Sequence, residues 1–193
     1  MVDTQNMENN TAQRILDVAQ NMVRNRGYSA FSYADISKQI GIRKASIHYH
    51  FPSKDVLVEE LVKRYRQSMV QACDRIAQSN LTAHQRLIQF AHLYQDGLEN
   101  GKICLCAMLT ADFAVLPEPV HQEIKGFFRD TEVWLIALLQ QGGWDCQPSV
   151  EQEAKGVIAL LQGAQLLARS SADSVATFGQ VVYPLLKAKF SQR

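Results

Sequence analysis

Arg43, Lys44, Ser46, His48, Tyr49 and His50 crowd into eight positions, and every one can donate a hydrogen bond. On a helix these positions cover about two turns. Such a helix fits the major groove of duplex DNA with its N-terminal residues toward the base edges, where acceptors are displayed. A plain solvated face is the alternative for any short basic helix. A metal site at His48 and His50 is disfavoured, because side chains two residues apart on a helix diverge and no nearby Cys or carboxylate completes a ligand set.

A second reactive pair is Cys104 and Cys106. It follows Gly101 at the expected start of a helix, where the helix dipole and Lys102 would favour a thiolate. On a helix the two thiols point about 200° apart, so a disulfide between them would require unwinding. Small buried residues are one reading of the pair, and a redox or electrophile sensor is the other. Cys73 and Cys146 complete the four cysteines, which are expected to be reduced in a cytosolic protein.

The elements that must carry these groups are helical. Ile15, Ala19, Met22 and Val23 repeat at helical spacing before Gly27. Ser32 and Asp35 stand at capping-box spacing ahead of a second helix, and Gly41 supplies the turn into a third, about Lys44 to His50. Ile36, Ile40, Ile42 and Ile47 point inward, and small Ala45 permits close approach. Phe51-Pro52-Ser53 breaks the third helix, and Ser53 caps a fourth with the stripe Leu57, Leu61, Tyr65, Met69, Cys73 and Ile76. Five more helices are expected beyond Asn80, the last two at about 150–171 and 174–190. The fold class is therefore all-α with about nine helices: a helix-turn-helix domain over 8–55 and a regulatory domain over 56–193.

The segment Phe31–Phe51, followed by Pro-Ser-Lys-Asp55, resembles the N-terminal domain of TetR/AcrR regulators over residues 10–66. That family combines Ser/Thr-x-x-acid-Ile, Gly-Val/Ile, a short helix ending aromatic-x-His-Phe, and Pro-Ser-Lys-acid. The resemblance implies a transcriptional regulator, a repressor in the first instance, that reads a palindromic operator as a homodimer. It implies phosphate contacts for Ser32 and Lys54, with Tyr33 beside them. It implies base-edge positions for Arg43, Lys44, Ala45 and Ser46, and backbone contacts for Tyr49 and His50. His48 departs from the usual Tyr. A His there can still donate to phosphate, so DNA affinity is expected to weaken from about pH 6 to 8.

The rear region resembles the family only in architecture. The resemblance implies dimerisation through the final helices, with Ile158, Leu161, Gln165 and Ala168 on one face and Phe178, Val182 and Leu185 on the other. Gly156, Gly163 and Ala164 would allow close helix contact. It also implies an inducer cavity. Met69, Phe90, Tyr94, Cys104, Cys106, Met108, Phe113, Phe127, Phe128 and Trp134 are the candidates for an apolar or aromatic ligand, although such residues at helical spacing also make ordinary core. The stretch Gly101 to Leu109 looks like one found in a branch of the family.

Composition adds bounds. The net charge is +1, with a small basic surplus up to Arg66 and a small acidic one after it. The polar start, Met1 to Asn10, lacks the apolar segment of a signal peptide, and no apolar run reaches membrane-spanning length. No nucleophile elbow, phosphate loop or metal pair is present, so neither an enzyme nor a cofactor is expected. An activator, or a helical adaptor that does not bind DNA, remains as an alternative.

Overall fold

The structure is a computed structural model that describes residues 2–144 and 149–191. Among these residues it has nine α-helices and no strand. They are α1 (Val2–Arg26), α2 (Tyr33–Ile40), α3 (Lys44–His50), α4 (Lys54–Ala77), α5 (Ala83–Gln95), α6 (Leu105–Ala111), α7 (Glu118–Gln141), α8 (Val150–Arg169) and α9 (Ser174–Ser191). Single 3₁₀ turns at Leu98–Asn100 and Phe113–Val115 flank α6. The sixth helix is short, and the chain tightens into the second of those turns just after it. Cys146 lies outside the described residues.

The chain forms two compact units. The first combines residues 1–66 with 105–124, and the second combines 67–104 with 125–193. Helices α4 and α7 each begin in the first unit and end in the second.

In the first unit Ile15, Val23, Ile36, Ile47, Leu57 and Leu61 are buried, together with Leu105 and Leu109 of α6. Burying a side chain of this size contributes roughly 1.5–3 kcal/mol. Helix α6 packs against α1 and adds its leucines to this core. Arg64 braces α4 on α1, donating to Asp17 Oδ1 at 2.8 Å and to Gln13 and Gln20.

In the second unit α5, α8 and α9 pack together. A capping box starts α8: Ser149 N–H donates to Gln152 Oε1 at 3.0 Å, and Gln152 N–H returns to Ser149 Oγ at 3.3 Å. The face of α8 expected to meet a second copy is largely occupied within the chain. Leu161, Gln165 and Ala168 are buried, as are Phe178 and Val182 of α9, while Ile158 is half-buried. Helical periodicity had shown that α8 has an apolar face, but that face packs inward. Leu166, Leu167 and Leu185 stand outside at 58%, 55% and 50% exposure, with Gly156 and Gly163 also exposed.

Candidate nucleic-acid interface

The site grows from two caps and a turn. Ser32 N–H and Oγ–H both donate to Asp35 Oδ2, at 2.8 and 2.7 Å, and Asp35 N–H donates to Ser32 Oγ at 3.4 Å. These hydrogen bonds hold the Asp35 carboxyl below its ordinary pKa, with the Ser32 side chain the largest cause. The cap also occupies the Ser32 hydroxyl, which was expected on a phosphate. Gly41 takes the left-handed conformation (φ 72°, ψ 30°), closing α2 through its N–H to Ser37 O. Any other residue would be strained there. Ser37 Oγ–H then donates to Ile42 O at 2.6 Å and fixes the exit.

Helix α3 inserts one side chain into the core, Ile47, and its end is tied down from α2. Tyr33 OH donates to Phe51 O at 2.8 Å, and Phe51 N–H donates to Ile47 O at 2.8 Å. Tyr33 is buried, and desolvation first pushes its phenol up to about 12, so it remains a donor. Its ring lies 4.8 Å from the His48 ring, and His48 Nδ1 is 3.2 Å from Pro52 O. A proton on Nδ1 makes that contact and leaves Nε2 for an outside partner.

Arg43, Lys44, Ala45, Ser46, His48 and Tyr49 are exposed, and His50 is half-buried. Ala45 was read as a close-packing residue, but it faces solvent with the donors. Ile40 and Ile42 are half-buried rather than core. Helix α3 holds no acidic residue. The resulting surface is cationic and donor-rich, as phosphates and purine edges require.

Lys54 is placed differently from a simple phosphate hand. Its ammonium donates to Tyr28 O at 2.6 Å and Phe31 O at 2.7 Å, and it sits 4.2 and 4.3 Å from the centres of those two rings. Two of its three protons are committed within the protein, leaving one for a phosphate. Partial burial is the largest cause lowering its pKa, against the opposing pull of Asp112, Asp55 and Asp35. Tyr28 OH donates to Asp55 Oδ1 at 2.7 Å. Residues 28–31 are thus gripped from the first turn of α4. Lys54 could be found in the sequence by its motif, but Tyr28 and Asp55 carried no signal as partners.

The ten candidate ligand residues are divided. Met69, Phe90, Tyr94, Cys104, Phe127, Phe128 and Trp134 belong to the second unit, and Cys106, Met108 and Phe113 to the first. In the second unit Phe90 stacks near Tyr94 and Trp134, with ring centres 5.4 and 5.0 Å away, and Phe127 lies 5.3 Å from Phe128. In the first, Phe113 stacks on His121 at 3.9 Å. Cys73, Cys104 and Cys106 are free thiols, all buried, and burial pushes the Cys73 thiol up to about 12. Gln165 was expected on the dimer face. It is instead a buried tie, donating to Tyr94 O at 2.6 Å and accepting from Cys104 N–H at 3.0 Å.

Comparison with known proteins adds the following. The sequence model of bacterial regulatory proteins of the tetR family matches residues 15–61. A crystal structure of a TetR-family transcriptional regulator from Agrobacterium tumefaciens is 34% identical, covers 94% of this chain and 98% of its own, and superposes with a TM-score of 0.88. The nucleoid occlusion factor SlmA of Marinomonas sp. (strain MWYL1) is 29% identical over 82% of both chains. IcaR, a negative transcriptional regulator of a biofilm operon in Staphylococcus aureus (strain Newman), is 40% identical over 50 residues, 26% of this chain and 27% of its own.

Proposed function

This chain belongs to the TetR family of bacterial regulators, which are DNA-binding transcription factors rather than enzymes, and from that premise we propose that it is a repressor released from a palindromic operator by a small-molecule inducer. The observation that carries the DNA-reading part is α3: only Ile47 points inward, and the rest of the helix offers Arg43, Lys44, Ser46, His48 and Tyr49 to a partner. Arg43, Lys44, Ala45 and Ser46 meet base edges. His48, Tyr49 and His50 meet the sugar-phosphate backbone, with Lys54 adding its remaining proton. Repression is the reading favoured by the likeness to IcaR, a negative regulator.

The protein acts as a homodimer. Leu166, Leu167 and Leu185 are exposed leucines on the two final helices, a surface a second copy would keep dry. Two recognition helices about 34 Å apart then fit successive major grooves. The inducer is apolar or aromatic and is received by the aromatic residues around Phe90, Tyr94 and Trp134. Its effect is a population shift: it must favour a state in which α4, continuous through both units, spaces the two recognition helices wrongly. A thiol-reactive inducer is the second reading and is less favoured, because Cys104 and Cys106 are buried. Acting on the chromosome, the protein works in the bacterial cytoplasm. No helix among the described residues is long and apolar enough to cross a membrane.

Selection of bound sequences from random duplex DNA tests the proposal, followed by a release screen with aromatic small molecules. A palindrome with steep salt dependence is expected. Recovery of no preferred duplex would overturn the DNA reading, and activation of the linked promoter would overturn repression.

A further inference from the structure

We propose that Asp112, just past the end of α6, is a positioning residue for DNA recognition: it holds the turn between α1 and α2 in the pose from which α3 meets the duplex. The proposal rests on the DNA-binding reading given above and assigns it a residue 84 positions away from the turn in sequence.

The link from Arg26 to Tyr33 is short, and four of its polar groups are taken up by other elements. Lys54 on α4 takes its carbonyls, at Tyr28 and Phe31. Asp112 takes its donors: Tyr28 N–H reaches Oδ2 at 2.8 Å, and Ser29 Oγ–H reaches Oδ1 at 3.1 Å. Both oxygens of one carboxylate are thus spent on consecutive residues of the turn, a two-point grip that fixes orientation as well as distance. Gly27 completes the fit. It sits at φ +84°, and a Cβ added there would lie 2.9 Å from Asp112 Oδ2. The glycine both permits the left-handed bend and clears space for the carboxylate.

The placement of the acid also needs a partner. A negative charge beside a helix C-terminus is electrostatically unfavourable, and Asp112 follows the last residue of α6. The attraction between Asp112 and Lys54 opposes that cost. Downstream of the turn, Ser32 caps α2, and Gly41 fixes α3 relative to α2. Whatever sets the turn therefore sets the recognition helix.

The test uses the full chain and the palindrome recovered by selection, with an unrelated duplex of equal length beside it. Asp112→Ala is expected to weaken palindrome binding about tenfold, the range that loss of one or two positioning hydrogen bonds reaches. Binding to the unrelated duplex and the salt slope should stay the same, since no phosphate contact is removed. Asp112→Asn, which keeps an acceptor for Tyr28 N–H and a donor for Ser29 Oγ, should recover most of the loss. Ser29→Ala, at an exposed position that tolerates change, should weaken palindrome binding by a smaller factor and decides the matter if Asp112→Ala does not fold. Palindrome binding equal to wild type in both Asp112→Ala and Ser29→Ala, or parallel loss on both duplexes, would overturn the proposal while leaving the DNA reading intact. A wild-type chain that prefers no duplex would overturn both.

Discussion

Helix α3 keeps one of its seven residues out of water, whereas α8 buries seven of its twenty. The difference follows from what each helix presents. A helix that offers its side chains to a partner gives up packing, so it must be held at its ends. Gly41, Ser37 and the Tyr33–Phe51 hydrogen bond do that for α3. Helix α8 is held along its length, and even its polar Gln165 is used internally. The residues that hold α3 in place therefore differ from those on its exposed face, and substitutions can separate the two sets.

The largest expected effect falls on the one inward residue of the outward helix. Ile47→Ala should lower the unfolding free energy by about 2–5 kcal/mol and abolish operator binding with it, as read by urea denaturation and a mobility shift. A loss well under 1 kcal/mol would show that the ends of α3 suffice without its core anchor. Next is Gln165→Leu, which removes the buried hydrogen bonds to Cys104 N–H and Tyr94 O and should cost about 0.5–1.5 kcal/mol for each. A Gln165 acting on a dimer face would leave unfolding of the single chain untouched and change only the association constant, so sedimentation beside denaturation separates the two roles.

Lys54 and Lys44 sharpen the contrast within the first unit. Lys54→Met removes two charge-assisted hydrogen bonds and should cost about 1.5–3 kcal/mol or more of stability. Lys44→Ala should leave stability within about 0.5 kcal/mol but relax sequence preference at the base it meets, at about 1–3 kcal/mol of discrimination. A Lys54 variant that also lowers the salt slope of DNA binding by about 1 would show its third proton at work on a phosphate. The smallest effect concerns His48. His48→Ala should weaken operator binding a few-fold in a mobility shift while leaving stability within about 0.5 kcal/mol. Binding equal to wild type would remove His48 from the interface.

Much of α2, α3 and their turn was legible because the signals are local. The Ser32–Asp35 cap, Gly41 and the Phe51-Pro52 break are read within a few residues of where they act, and the bounds of α3 match the expected Lys44 to His50. What sequence could not supply was the destination of long side chains and the choice between faces. Lys54 fits its motif, yet its ammonium turns back to carbonyls 23 and 26 residues away. The apolar stripe of α8 was visible, but periodicity does not say whether a stripe meets its own chain or another, and it was the exposed Leu166 and Leu167 that fell outside the expected face. Asp112 had no local pattern at all.

The first unit is discontinuous in sequence, built from residues 1–66 and 105–124. On the ribosome this sets an order of events. The helix-turn-helix emerges first, but the α6 residues that pack on α1, and the carboxylate that holds the turn, arrive some forty residues later. At typical synthesis rates of about 5–20 residues per second the delay is of the order of seconds. A nascent chain stalled within α5 would therefore display a recognition helix on an unfinished support.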